Sequence, residues 1–250
     1  MTANDRRDLV RIAVIADTHD NLAALEAVLA DLADTGVDRM VCLGDVAALG
    51  PQPHEVTARL HELDCPVVLG NCDVVALRPV RLSPRNEEDR RWFEIEEWGA
   101  AQLTPEDLTY LRTFQPTLTL PLGDGATLLC CHGSPHSNTD SIVATTPGTM
   151  LAQLLHGYSA TVLAGGHTHA PFTRRYKDAV FLNPGSVGFP YEVTDAGIRH
   201  PPWAEYGIVE WRAGRLNIEL RRVPIDADLV VQALLRSDMP HADWLASKWH

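Results

Sequence analysis

The sequence predicts an α/β protein built as a two-sheet β-sandwich flanked by helices. Six short apolar runs are each cut off by turn residues, the mark of buried strands. Early in the chain they alternate with segments of helical periodicity, which implies right-handed crossovers and a parallel sheet. In the second half the strands follow one another more closely, so a second sheet is expected to pack face to face on the first. The chain has 250 residues, 45% of them hydrophobic, enough for one sizeable core.

The first strand covers about Arg11 to Ala16. Asp20 and Asn21 can cap the helix that follows, in which Leu22, Leu25, Val28, Leu29 and Leu32 recur at helical spacing. A strand at Arg39 to Leu43, a helix at Pro53 to Leu63 and a strand at Pro66 to Leu69 complete the first unit. Composition then shifts. Pro84 to Phe114 is rich in charge and aromatic residues, including Arg90-Arg91-Trp92-Phe93 and Trp98. Thr104 with Asp107 has the form of a capping box, with Pro105 at the first helical position. Two helices are expected here, read as an insertion across the mouth of the sheet or beside it.

Strands return at Leu118 to Leu120, Ala126 to Cys131, Ala160 to Ala164, Phe172 to Tyr176 and Ala179 to Leu182. A helix from Thr146-Pro147 through Leu155 lies among them. Tyr206 to Trp211 and Arg215 to Arg221 flank Ala213-Gly214, a hairpin signal. Asp226 to Arg236 is a last helix, and the tail Met239 to His250 holds Trp244 and Trp249. No repeat or low-complexity segment appears. The expectation is one domain over 1–250, with 84–114 as a helical cap insertion.

Charge and cysteine usage narrow the function. A formal net charge of −12 argues against duplex nucleic acid as a partner. Anionic substrates stay open, because bound divalent ions would reset the local field. No run approaches the ~18 to 20 apolar residues of a membrane span. Met1 to Asp8 is polar, lacks the apolar core of a secretion signal, and is read as a frayed leader. The five cysteines, Cys42, Cys65, Cys72, Cys130 and Cys131, are odd in number and form no CxxC pair. That points to free thiols in a reducing cytoplasm and away from a thiolate zinc site.

The residues after each apolar run carry the chemistry. Val10 to Ala16 is followed by Asp17-Thr18-His19, Met40 to Leu43 by Gly44-Asp45, and Val67 to Leu69 by Gly70-Asn71-Cys72-Asp73. Leu128 to Cys131 is followed by His132-Gly133, and Val162 to Ala164 by Gly165-Gly166-His167-Thr168-His169. Val180 to Leu182 leads into Asn183-Pro184-Gly185-Ser186. Open α/β sheets bind ligands just outside the carboxyl ends of their strands, so oxygen and imidazole donors are delivered repeatedly to one edge. Such donors without sulfur suit Mn, Fe, Zn, Co or Ni. Gly44, Gly70 and Gly133 are expected where the chain passes close to metal or substrate. His167 and His169 would point apart along an extended segment unless the backbone turns, which Gly165-Gly166 would ease.

Any one of these blocks recurs by chance. Five in order, each at a strand end, resemble the calcineurin-like metallophosphoesterase superfamily over residues 11 to 186. Gly70-Asn71-Cys72-Asp73 and Asn183-Pro184-Gly185-Ser186 look like its small prokaryotic phosphodiesterase branch, which includes hydrolases of dinucleoside polyphosphates. The resemblance implies that Asp17, His19 and His169 hold one cation and Asn71, His132 and His167 a second. Asp45 would bridge them, and Asp45, Asn71 and His132 would lie at the chemistry. A carboxylate can span two ions ~3.5 to 4 Å apart. Two divalent ions, manganese the first expectation, would bring the pKa of a shared water near neutrality and neutralise phosphate oxygens.

The implied activity is hydrolysis of a phosphoester or anhydride. The substrate would be a small phosphodiester, nucleotide or dinucleoside polyphosphate, and the enzyme a cytoplasmic protein able to form a homo-oligomer. Asn183 to Ser186 would brace the ligands. One departure stands out. Many members carry a histidine after the Gly-Asn to protonate the leaving oxygen, and here that position is Cys72. A thiol with a pKa of about 8.5 is a poor acid at neutral pH and is read as a small hydrophobe, biasing the enzyme toward good leaving groups. His136 is a replacement acid to consider, Asn21 a phosphate contact, and Asp73 a cap for the next segment. Arg90, Arg91, Arg174 and Arg175 could grip phosphate bidentately. The alternative is a protein-binding scaffold with a degraded site, as in the retromer coat, but all seven expected ligands are present.

Overall fold

The computed structural model describes residues 9–78, 83–195 and 197–249; the Met1 to Asp8 leader lies outside them. In chain order the first elements are β1 (Leu9–Ile15), α1 (Leu22–Thr35), β2 (Arg39–Cys42), α2 (Pro53–Glu62) and α3 (Asn71–Leu77). Next come α4 (Glu87–Gln102), α5 (Pro105–Leu111), β3 (Leu118–Gly123), β4 (Ala126–Cys130), α6 (Gly148–Leu154) and β5 (Val162–Ala164). The chain continues through β6 (Phe172–Tyr176), β7 (Ala179–Asn183), β8 (Glu192–Thr194) and β9 (Gly197–Arg199). It closes with β10 (Trp203–Arg212), β11 (Arg215–Pro224), α7 (Ala227–Arg236) and α8 (Ala242–Ala246).

Local signals explain most boundaries. Asn21 caps α1, its side-chain oxygen accepting from Ala24 N at 3.1 Å. The helix then buries Ala24, Leu25, Val28 and Leu32 and stops at Gly36, whose φ of 69° needs no Cβ. Thr104 and Asp107 form the expected capping box at α5. β10 and β11 turn on Ala213 and Gly214, both with positive φ, as a two-residue hairpin requires.

One sheet has the order β11-β10-β1-β2 and the other β3-β4-β5-β7-β6; β8 and β9 form a separate ribbon. β1 and β2 are parallel, as are β4, β5 and β7. Alternate residues of β1 part to opposite faces. Ile12 and Val14, with Val41 and Val209, meet Leu128, Val162 and Leu182 of the second sheet. Ala13 and Ile15 join Leu25 and Val28 of α1 on the other face. The outer face of the second sheet packs Leu129, Leu163 and Phe181 on Leu151 and Leu155. The two-sheet sandwich flanked by helices is therefore the architecture.

Three details differ from expectation. Pro66 to Leu69 lies alongside β2 but pairs only through single parallel bridges, Cys42 to Val67 and Val68 to Gln115, because Gly70 starts α3 at once. The sequence carries no signal for the β8–β9 ribbon or for α8. Their strands are three residues each and α8 is five, too short for periodicity to register.

Candidate metal centre

The carboxyl ends of the parallel strands lead into loops that are stitched to one another. Asp17 N donates to Gly44 O at 2.9 Å, His19 N to Asp45 O at 3.1 Å, and Gly166 N to His132 O at 2.7 Å. Within these loops Asp17, His19, Asp45, His167 and His169 take φ values of 55°, 41°, 52°, 65° and 52°. That left-handed region is uncommon for residues other than glycine, and such residues gather at functional sites. The bend that separates His167 from His169 thus sits in the histidines themselves, not in Gly165-Gly166. Gly166 is there for close approach, since a Cβ on it would lie 2.8 Å from Asp17 Oδ2. Gly70 is tighter still, with 2.1 Å from a Cβ to Asp45 Oδ1. Gly133 instead is crowded by the backbone of Asp140 and Ser137, away from the donors.

The side chains of Asp17, His19, Asp45, Asn71, His132, His167 and His169 converge. His19 Nε2 lies 3.1 Å from His169 Nε2, and His169 Nε2 lies 3.4 Å from Asp17 Oδ1. Across the site, His132 Nε2 is 3.0 Å from Asn71 Oδ1 and 3.3 Å from Asp45 Oδ2. Asp45 Oδ2 is also 3.9 Å from His19 Nε2. His167 stands edge-on to His132, ring centroids 5.2 Å apart. Three groups of possible ligand atoms result among the described residues: Asp17 with His19 and His169, Asp45 with His132 and His167, and His19 with Asp45 and Cys72.

Electrostatics show what the cluster lacks. His132 Nδ1 donates to Leu43 O at 2.8 Å and His169 Nδ1 to Phe189 O at 2.7 Å. In the neutral ring each Nε2 would then offer a lone pair toward the centre, where carboxylate and carboxamide oxygens also point. Burial alone would push His132 down, but the Asp45 carboxylate outweighs it and pulls His132 up to about 10. Asp45 is held well below the usual carboxylate range: burial opposes this, and His132 wins. Asp17 is likewise lowered against burial by His169, and His169 is raised against burial by Asp17. His19 is driven down to about 4, chiefly by burial. Asp17 Oδ1 and His19 Nδ1 are buried with no hydrogen-bond partner among the described residues. Converging lone pairs that draw protons inward and leave an oxygen unpaired are what a bound cation would satisfy.

Surrounding residues fix the donors. Asn183 Nδ2 donates to Gly166 O at 2.8 Å and to Thr168 Oγ1 at 3.0 Å, while its oxygen accepts from Gly185 N. Ser186 Oγ donates to Asp17 O at 2.8 Å. Asp73 is not a simple cap: its carboxylate accepts from the N–H groups of Asp45, Val46, Ala47 and Gly70. Asp20 holds the next loop through Leu49 N and Gly50 N. Asn21 is buried, its Nδ2 donating to Gly188 O and its Oδ1 accepting from Ala24 N, so it serves the fold and is not exposed to a phosphate.

Other candidates fall away for physical reasons. Cys72 is buried in the hydrophobic cluster, with its N–H donating to Asp45 Oδ1 at 2.8 Å. Burial pushes its thiol well above the ordinary value, so it stays a neutral thiol. His136 turns outward to His156 O at 2.8 Å and to the Tyr158 ring. Arg90 pairs with Glu87 and Glu94, Arg91 with Glu87, and Arg174 donates to Ala144 O and Thr146 O. Arg175 is exposed on β6, and none of the four lines the cleft over the donors.

That cleft, about 340 Å³, is walled by Glu88, Trp92 and Glu96 of α4, by Tyr191 and Ile198, and by Lys248 of the tail. Of these, only Trp92, within the aromatic 84–114 segment, stands out in the sequence. The 88, 92, 96 spacing on one helix face was a readable signal for the first three; nothing local marks Lys248.

The chain matches the calcineurin-like phosphoesterase superfamily domain over residues 10–201. It belongs to that superfamily. Members use divalent metal ions, in keeping with the donor set. A metallophosphoesterase from Sphaerobacter thermophilus has 26% identity and a TM-score of 0.72, covering 96% of this chain and 97% of that one. A hypothetical protein of Pyrococcus horikoshii shares the fold at 20% identity and a TM-score of 0.77, with 95% and 96% covered. An uncharacterized protein of Methanocaldococcus jannaschii is 27% identical over 252 residues, 95% of this chain and 96% of the relative.

Proposed function

We propose that this phosphoesterase hydrolyses phosphodiester or nucleotide-type substrates at a two-cation centre, manganese being the first metal to test. The observation that carries the reading is Asp45, whose Oδ2 approaches His19 Nε2 at 3.9 Å and His132 Nε2 at 3.3 Å, between the two donor sets. Asp17, His19 and His169 would hold one ion, Asn71, His132 and His167 the other, with Asp45 shared. Two divalent ions there supply Lewis acidity, acidifying a water and neutralising phosphoryl oxygens.

The protein's own part is positioning. The carbonyls of Leu43 and Phe189 lock His132 and His169 in one tautomer and one direction. Asp73 and Asn183 hold the loops that carry Asp45 and His167. Cys72 gives no proton to a leaving oxygen, so esters with stable leaving groups are favoured. A cytoplasmic setting fits five free, buried cysteines.

The test is turnover of a chromogenic phosphodiester. Activity should vanish with chelator and return with Mn²⁺, and Asp45→Asn should lower it by at least about a thousandfold. Activity that survives either treatment refutes the reading. Cys72→His should narrow the gap between aryl and alkyl esters.

A further inference from the structure

The cleft has a second half that phosphoryl chemistry does not need. α4 presents Glu88, Trp92 and Glu96 along one face, and Tyr191, Ile198 and Lys248 close the other sides. Tyr191 and Ile198 are 39% and 50% exposed, large apolar surface held open beside the donors.

This wall is rigid. A Cβ on Gly99 would lie 3.1 Å from Ala48 Cα, so α4 sits directly on the loop that carries Asp45. Trp92 meets Trp244 edge-on at 5.1 Å, and His241 Nε2 lies 2.7 Å from Glu94. Lys248 Nζ lies 4.6 Å from the Trp244 ring and 3.8 Å from Glu88. The tail, beyond residue 201 where the superfamily match ends, therefore helps build the pocket.

Its charges are telling. Lys248 is the one lysine or arginine lining the cleft among the described residues, and Glu88 already engages it. Glu88 and Glu96 both face the cleft, the Glu96 carboxyl raised to about 7 by burial and by Asp45. A chain of further phosphates would meet these two carboxyl groups and a single lysine, itself 3.8 Å from Glu88, whereas polyphosphate sites use several arginine and lysine clamps. The volume, about 340 Å³, sits at the low end of the roughly 300 to 1,000 Å³ of small-molecule sites, which suits one ring system and not two nucleosides.

We propose that this half of the cleft is a subsite for a single uncharged aromatic ester group, so that the protein selects one-phosphate diesters and rejects polyphosphates. The ring packs on Trp92 and Tyr191, and its N–H or O–H donors meet the Glu96 carboxylate. In the reaction the oxygen of water adds to phosphorus and one P–O ester bond breaks. The departing oxygen ends with a proton from that water, leaving a monoester and an alcohol. The inference rests on the hydrolase reading above.

The experiment compares kcat/KM of the Mn²⁺-loaded full chain for thymidine 5′-(p-nitrophenyl) phosphate and for diadenosine tetraphosphate. The diester should be favoured by at least about tenfold. Glu88→Gln with Glu96→Gln should shrink that ratio by raising tetraphosphate turnover, and Trp92→Leu should raise KM for the diester several-fold with kcat within twofold. A preference for the tetraphosphate, or a ratio unmoved by the double variant, overturns the proposal. Should no phosphoester be turned over with any metal, the hydrolase reading falls, and calorimetry with chelated protein then decides the subsite. Adenosine, uncharged and free of phosphate, should bind and should bind several-fold more weakly to Trp92→Leu; absence of binding overturns the subsite.

Discussion

Asp73 offers the sharpest test of how the centre is held. It is fully buried, and its Oδ2 accepts from Asp45 N and Gly70 N, each at 2.9 Å. Its Oδ1 accepts from Val46 N at 2.9 Å and Ala47 N at 3.2 Å. Asp73→Ala strands four buried N–H groups. At about 1 kcal/mol each, the low end for an unsatisfied buried donor because water can enter the gap, the loss is about 4 kcal/mol. For a protein of this size each kcal/mol moves Tm by about 2 to 4 °C, so a fall of about 8 to 16 °C is expected. Differential scanning calorimetry of chelated protein measures it without metal linkage. The same variant loosens Asp45 and Asn71 together and should lower kcat about a hundredfold with Mn²⁺ present. A Tm within about 3 °C of the wild type would refute the hydrogen-bond reasoning, and an unchanged kcat would refute the positioning role.

Three further outcomes are expected. Gly70→Ala puts a Cβ 2.1 Å from Asp45 Oδ1, so Mn²⁺ affinity by calorimetry should fall at least about tenfold, and wild-type affinity would contradict the geometry. Trp249→Ala removes a ring that is 1% exposed and packed on His200 and Phe189; about 3 to 5 kcal/mol should be lost in denaturant unfolding. His54, hydrogen-bonded to Asp107 at 2.8 Å, is raised above its ordinary pKa by that bond. Its contribution to stability is therefore complete below a pH of about 6.5 and fades as pH rises through the folded-state value. NMR titration should give a pKa above that of free histidine, and Asp107→Asn should restore it.

The convergence of these side chains was legible because one rule governs it: a parallel strand ends, and its next polar residue faces the sheet edge. Asp17, Asp45, His132 and His167 each follow their strands within three residues. What the sequence concealed depends on contacts made across the chain. Asp73 resembles an ordinary cap until its carboxylate is seen to collect N–H groups from residues 45 to 47. Gly165 and Gly166 suggest a turn by composition, yet the left-handed residues are His167 and His169. Lys248 reaches the cleft only because Trp249 anchors the tail, with His200 N donating to Lys248 O at 2.7 Å, and no periodicity foretells such a return.

The left-handed backbone at Asp17, His19, Asp45, His167 and His169 narrows the alphabet open to these positions. Aspartate, asparagine and histidine tolerate that conformation better than other non-glycine residues, and they are also the side chains with the donor atoms. Coordination and conformation thus recruit the same few amino acids. An alanine scan of the centre would delete a donor and add about 1 kcal/mol of backbone penalty in one stroke. Asparagine, which keeps the conformational ease while changing the donor, separates the two losses.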